Sequence, residues 1–177
     1  MIELRRLTAE DGDALWAILA DPEVWRLMPV PLGSDRAVFD RYLAAALTDA
    51  RAEVYAVLRD GEVIGTSRLH EIEPDHRKAE LGYTWYRRDV WGTNVNPTAK
   101  LRLLTRAFDE LGLLRVYFYV DVRNRRSRAA VAKLGATEEG ILRSDRLLPD
   151  GHRRDTAVSS ILVEEWPRVR ERLTGRL

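Results

Sequence analysis

The chain of 177 residues contains no cysteine, which excludes a disulfide framework, thiol catalysis and a cysteine-ligated metal. Histidine is scarce: His70, His76 and His152 are scattered without the spacing of a metal-ligand set, so no metal site is expected. No apolar run approaches the roughly 18 residues that a membrane span requires. The opening Met1-Ile2-Glu3-Leu4-Arg5-Arg6 has the alternation of a strand rather than the character of a signal peptide, and a cytoplasmic protein is expected. A dominant charge is missing as well. With 29 Lys and Arg against 28 Asp and Glu the net charge is +1, which gives no global drive toward nucleic acid or a membrane surface. Lysine stands only at positions 78, 100 and 133. There is no internal repeat, low-complexity tract or obvious linker.

What remains is the composition of an ordinary globular domain, 45% hydrophobic and 32% charged. The length predicts a single domain over residues 1–177 with a sizeable core. Ile2–Leu7 reads as a first strand. Thr8-Ala9-Glu10-Asp11 reads as a capping box opening a helix that buries Leu15, Ile18 and Leu19. Pro22 to Pro31 is a broken segment, after which Ser34 caps a second helix with Val38, Phe39, Tyr42, Leu43 and Leu47 at helical spacing. Val54–Leu58 and Val63–Leu69 flank Asp60-Gly61, a strong hairpin signal. Ala79–Tyr86 is a central strand, Pro97 to Leu111 a helix and Arg115–Val120 a further strand. Two last strands, about Glu138–Leu147 and Arg154–Leu162, are joined by Pro149-Asp150-Gly151 and followed by a polar helix, Glu164–Leu173. The order β-α-α-β-β-β-α-β-α-β-β implies an α/β sheet of mixed direction with helices on both faces.

The most informative stretch is Trp91-Gly92-Thr93-Asn94-Val95-Asn96-Pro97-Thr98-Ala99-Lys100. A strand that feeds a small-residue loop and then a helix aims several unpaired backbone N–H groups at one point. Such a point suits a phosphate or pyrophosphate. Pro97 fits the first helical turn, where its missing N–H costs nothing. Taken alone, the loop is equally an ordinary strand-to-helix connection.

One helix and one strand later comes Asp121-Val122-Arg123-Asn124-Arg125-Arg126-Ser127, then a short helix ending in Lys133-Leu134-Gly135-Ala136. With these two elements in this order, from Ile2 to about Trp166, the chain resembles the GNAT acetyltransferases. Asn124-x-x-Ser127 with Lys133-Leu134-Gly135 is similar to their second cofactor motif. The Trp91–Ala99 loop resembles the pyrophosphate loop of their ribosomal-protein N-acetyltransferase branch (RimJ/RimL type). The sequence departs from the general Gln/Arg-x-x-Gly-x-Gly/Ala loop at Trp91, Asn94 and Asn96, although Asn tolerates a left-handed backbone well. The resemblance implies a mostly antiparallel sheet of about seven strands, splayed between the fourth and fifth. Acetyl-CoA would lie in that gap. Tyr83, Thr84 and Trp85 would offer backbone groups to its pantetheine arm, pairing it like an added strand. The amides of Gly92, Thr93, Asn94, Val95 and Asn96 after Trp91 would hold the pyrophosphate, and Asn124 the pantetheine amide. Lys100 and Lys133 would add charge near the nucleotide, unless they are solvated helix residues. The Arg123–Arg128 cluster suits phosphates or is an exposed basic turn.

Acyl transfer to an amine needs a base for the amine proton, stabilisation of the carbonyl oxygen and a proton for the leaving thiolate. Glu80, on the fourth strand beside the expected thioester, is the best base; the alternative is a surface Glu paired with an Arg. By resemblance Ser127 lies near the sulfur as proton donor; it also reads as a helix N-cap. The Tyr that the family often uses as acid after this helix is replaced by Ala136 and Thr137. Trp25, Met28 and Pro29 stand where this branch builds its acceptor wall, and can equally cover the core. His70 ends the third strand near the acceptor mouth, where it touches substrate or is a loop histidine. Arg154 and Asp155 begin the last strand, and Asp155 is placed toward the acceptor. Direct transfer through a ternary complex is expected. The acceptor is the α-amine of a protein or peptide by resemblance. A polyamine, amino acid or antibiotic amine is the enzymatic alternative, and acyl-CoA binding without turnover the non-enzymatic one. No nucleic acid or membrane partner is expected; a homodimer is compatible with the fold.

Overall fold

The computed structural model describes residues 1–175. Seven strands form one sheet in the order β1-β2-β3-β4-β5-β7-β6. They are β1 (Ile2–Arg6), β2 (Glu53–Arg59), β3 (Glu62–Glu73), β4 (Lys78–Tyr86), β5 (Arg115–Asp121), β6 (Thr137–Leu147) and β7 (Arg153–Leu162). All neighbours pair antiparallel except β4 and β5, which run parallel. The β2–β3 hairpin turns at Asp60 and Gly61, both with positive φ (53° and 84°), the pair of left-handed residues that a tight hairpin turn demands.

Side-chain alternation along β2 sorts the helices onto two faces. Val54, Ala56 and Leu58 point to a cluster containing Leu15, Leu19, Phe39 and Leu43, which belong to α1 (Gly12–Ile18), its C-terminal flank and α2 (Arg36–Thr48). The other face carries α3 (Val95–Thr105), α4 (Arg125–Leu134) and α5 (Trp166–Thr174), packed through Leu103, Leu104, Phe108, Leu134, Trp166 and Leu173. Several ends differ from the sequence expectation. Before α1, Ala9–Asp11 is a tight single turn, with Asp11 accepting the Thr8 N–H at 2.9 Å. Asp35, not Ser34, caps α2 by accepting from the Ala37 N–H; Ser34 instead donates to the Pro31 carbonyl. The helix after the loop begins at Val95, and beyond Thr105 it widens over Arg106–Glu110, where the Leu111 N–H reaches back five residues to the Arg106 carbonyl.

Two features shape the region between β4 and β5. The first is a bulge. Thr66 pairs with Trp85 and Arg68 with Gly82, so Ser67 alone opposes Tyr83 and Thr84, and Tyr83 takes a left-handed φ of 45°. An extra residue reverses the alternation downstream. Before it, Ala79 and Leu81 face the α3 side; after it, Trp85 faces the α1–α2 side and Tyr86 the α3 side. The second is the end of the ladder. β4 and β5 pair only at Lys78–Arg115, Ala79–Val116 and Glu80–Tyr117, and beyond these rungs the strands part.

Lys100 joins the two features. It is not the solvated helix residue that sequence allows: its exposure is 5%, and its ammonium donates to Thr84 Oγ1 at 2.6 Å and Ser67 Oγ at 3.1 Å. The two hydroxyls are themselves 2.6 Å apart. No carboxylate of the described residues joins this cluster, and burial pulls the Lys100 pKa down to about 7.

Trp25 turns its indole into the α1–α2 core, where its N–H donates to the Leu19 carbonyl at 3.0 Å. Gly33 makes room for it, since a Cβ there would fall 2.0 Å from Trp25 Nε1 and 2.6 Å from the Leu19 oxygen. Gly33→Ala is therefore expected to lose ~1–3 kcal/mol of stability, read as a lower denaturant midpoint. For Lys100, the unfolded chain holds its proton to about pH 10.4 and the folded chain only to about 7. Between these values the unfolded state binds more protons, so this residue makes stability rise with pH. Lys100→Met should remove that slope. Its stability relative to the parent should be most favourable near pH 6 and decline toward pH 10, by at most about 1.4 kcal/mol per pH unit. A pH-independent difference in thermal denaturation would show that the ammonium is not desolvated.

Candidate active site

The parting of β4 and β5 opens a cleft of about 620 Å³. Its walls are β4 from Glu80 to Tyr86, the loop around Trp91–Thr93, the C-terminal half of β5 and the turn into α4, with Leu27, Met28 and Pro29 at one side.

At the open end the loop forms a cradle. Gly92 has φ +78° and open space where a Cβ would stand. Thr93 Oγ1 donates to the Val90 carbonyl at 2.7 Å and accepts from the Val95 N–H at 3.3 Å, which shapes the turn into α3. The Asn94 carbonyl takes the Thr98 N–H at 3.0 Å, so Asn94 is the capping residue although its side chain makes no cap bond. Gly92, Thr93, Asn96 and Pro97 line the cleft, whereas Val95 is buried in a core cluster with Val57, Ile64 and Tyr86. Trp91 donates from its indole to the Tyr86 carbonyl at 3.1 Å. Over its ring, 3.4 Å from the centroid, lies the guanidinium of Arg126. Arg126 has no carboxylate at ion-pair distance among the described residues. A stacked arginine beside the N-terminus of α3 gives this end a net attraction for an anion.

Across the gap, Asn124 caps α4. Its side-chain oxygen accepts the Ser127 N–H at 3.0 Å, leaving the amide NH₂ to donate into the cleft. Asn124, not Ser127, is thus the N-cap; Ser127 sits one turn in and lines the cleft. Gly135 closes the helix with φ +107°, the left-handed cap that glycine serves. Lys133, in the last turn of α4, is exposed and lies at the cleft edge.

At the closed end, where the β4–β5 ladder stops, Glu80 and His70 face one another. They are Cα partners across β3 and β4, and His70 Nε2 lies 3.4 Å from Glu80 Oε1. Both are buried, and Nε2 has no hydrogen-bond partner among the described residues. This corrects two alternatives: Glu80 is not a surface carboxylate paired with an arginine, and His70 lies inside β3 rather than in a loop. Gly82 leaves the space they use, because a Cβ there would stand 2.9 Å from Glu80 Oε1 and 3.1 Å from His70 Nε2. A T-shaped contact sets the Tyr83 ring 5.0 Å from His70, and the Arg68 guanidinium lies 3.6 Å from the centroid of the same Tyr83 ring. On β5, Tyr119 lines the cleft; burial, then Glu80 and other acids, raise the neighbouring Tyr117 phenol to about 12.

The expected acceptor wall is only partly assembled. Met28 lines the cleft. Trp25 does not, being held in the core by Leu19. His70 and Asp155 also lie outside the lining: His70 contacts Glu80, and the Asp155 carboxylate accepts the Ser144 N–H at 2.7 Å. Its neighbour Arg154 faces the cleft instead. Arg68, Gly82 and Arg154 are the residues in or beside the cleft that the sequence did not point to, while Lys100, expected near the nucleotide, is tied to Ser67 and Thr84 instead. Only the unusual Glu80-Leu81-Gly82-Tyr83 glycine within a strand hinted at them.

The described residues hold no cluster of three or more His, Cys, Asp or Glu suited to a metal ion, and no helix among them is long and apolar enough to cross a membrane.

Comparison with known proteins agrees with this geometry. Residues 2–137 match the family model described as an acetyltransferase (GNAT) domain. YdaF of Bacillus subtilis (strain 168), provisionally named a ribosomal N-acetyltransferase, is 38% identical over 110 residues, 62% of this chain and 59% of that protein. A provisionally assigned acetyltransferase from T. thermophilus is 39% identical with a TM-score of 0.89, over 99% of this chain and 93% of that one. Mycobacterium smegmatis RimJ, solved in complex with CoA-disulfide, is 25% identical with a TM-score of 0.83, over 99% of this chain and 90% of that one. The sheet that parts after three parallel rungs, the loop and helix start beside it and the family match over residues 2–137 lead to one conclusion: the chain belongs to the GNAT acetyltransferases.

Proposed function

We propose that this chain transfers an acetyl group directly from acetyl-CoA to a primary amine, the amine being the N-terminus of a protein or peptide. The observation that carries the reading is the buried Glu80–His70 pair at the point where β4 and β5 part. The Arg126–Trp91 stack, the α3 N-terminus and the Asn124 amide suit the donor's phosphates and pantetheine arm. Acetyl-CoA supplies the activated thioester. The remaining work falls to the protein. Glu80, oriented by His70, takes the proton that the attacking amine must lose as the C–N bond forms. As the C–S bond breaks, Ser127, directly or through water, gives the thiolate a proton. Holding amine and thioester together in a narrow cleft contributes much of the rate. The acceptor class is supported by the likeness to YdaF, provisionally named a ribosomal N-acetyltransferase.

Initial-rate kinetics and thermal shift test the reading together. Acetyl-CoA, but not NAD or ATP, should raise the melting temperature by mass action. Glu80→Gln should lower kcat by about 10²–10⁴-fold and keep the acetyl-CoA shift. Arg126→Ala should weaken acetyl-CoA binding roughly tenfold, as expected for a lost charge-assisted contact. A protein that binds acetyl-CoA yet acetylates no amine would instead be a binding module.

A further inference from the structure

We propose that Arg154 is the carboxylate-binding residue of the acceptor site, so that the amine acetylated here belongs to a molecule that also carries a carboxylate. The inference rests on the amine-acetylation reading above and adds a carboxylate to its acceptor, whether that acceptor is a peptide or a free amino acid.

Strand register places Arg154 with the catalytic face. Thr156 is the Cα partner of Asp121, and Glu80 of Tyr117. Side chains two residues apart share a face, so Glu80, Tyr117, Tyr119, Asp121, Thr156 and Arg154 all project to one side of the sheet. Arg154 lines the same cleft as Glu80. Its exposure is 4%, its Nε is buried without a hydrogen-bond partner, and no ion pair forms with it among the described residues.

None of the acids near it forms an ion pair with it among the described residues. Asp121 is held by Arg123 at 2.7 Å, Asp145 accepts from Thr156 Oγ1 at 2.8 Å and faces Arg146 at 3.5 Å, and Glu80 faces His70. Desolvation accordingly lowers the Arg154 pKa, Arg146 adding to the effect, while Asp121, Asp145 and Glu80 oppose it. A guanidinium kept out of water without a carboxylate is costly. It presents donors in a fork that matches one. Arg146, its Cα partner on β6, adds a second positive charge to the cleft wall. A polycationic acceptor would bring more positive charge against these two arginines. An acceptor with an amine toward Glu80 and a carboxylate toward Arg154 satisfies both ends.

Two sources offer that chemistry: the α-carboxylate of a free amino acid, or an acidic side chain near a peptide N-terminus. Matched pairs separate them. Initial rates would be compared for amino acids against their carboxamides, for peptides with Asp or Glu against Asn or Gln at the second or third position, and for spermidine. The wild type should prefer the carboxylate member of one pair by roughly 10- to 100-fold in kcat/KM, the range of a charge-assisted hydrogen bond. The pair that shows the preference names the source. In Arg154→Gln the carboxylate-to-amide ratio should fall to within about twofold, with the acetyl-CoA thermal shift kept; Arg154→Lys should restore part of it. The wild-type comparison stands even where a variant fails to fold. Equal rates on both members of every pair, a preference for spermidine, or loss of acetyl-CoA binding in Arg154→Gln would overturn this inference and leave the acetyltransferase reading intact. Absence of turnover with every acceptor would overturn that reading and this one with it.

Discussion

The left-handed backbone at Tyr83 is the constraint on which the site depends. One extra residue on β4 reverses the alternation of everything after it. Trp85 thereby enters the α1–α2 core, and Thr84 turns to the opposite face to meet Lys100. A tyrosine in this conformation is strained and persists only where its surroundings fix it. Here the ring is held by Arg68 and His70, and the next residue is tied by the ammonium of Lys100. Because Lys100 lies on the helix that begins after the Trp91–Thr93 loop, its hydrogen bonds tie the start of that helix to the bulge. The distance from the Trp91–Thr93 loop to Glu80 is thus set by packed secondary structure, as accurate positioning of a ligand spanning them would require.

Charge is distributed to the same end. On the surface, arginines meet acids: Arg87 with Glu62 and Asp89, Arg106 with Glu53 and Glu110, Arg115 with Glu139. Inside, Lys100, Arg68 and Arg154 are buried without a carboxylate partner among the described residues. Hydroxyls serve the first and the rings of Tyr83 and Tyr42 the second. The third has neither. Exposed pairs contribute little to stability, whereas buried cations are costly. Their gathering around one cleft is therefore the stronger chemical signal.

The sequence disclosed the sheet and the cleft well, for local reasons. Asp60-Gly61 needs a hairpin, Gly135 needs a helix end, and the loop at Gly92 needs a strand before it and a helix after it. The resemblance carried by Asn124, Ser127 and Lys133-Leu134-Gly135 then located the gap between β4 and β5. What sequence left open depends on contacts distant along the chain. Nothing around Lys100 marks it as buried, because its partners lie 33 and 16 residues away. Trp25 looked suited to a pocket wall, yet Gly33 supplies a slot in the core that only the folded chain shows. The bulge was equally invisible: strict alternation through Gly82-Tyr83-Thr84 would put Trp85 on the wrong face. For Arg154 and Asp155, adjacent charges on opposite faces, the phase of β7 decides which one reaches the cleft.

The three rungs between β4 and β5 have a consequence for the molecule as a whole. The seven-stranded sheet is almost two sheets, one of β1–β4 and one of β5–β7, with a narrow backbone joint between them. What joins them besides the rungs is the apolar layer beneath the joint, where Leu81, Leu104 and Phe108 pack in one cluster with Val116, Leu134 and Ile161. Such a joint is a natural seam for partial opening. The gap left by the missing rungs is an unfinished ladder, and an extended ligand laid along it would act as a removable strand, stiffening the seam while it stays.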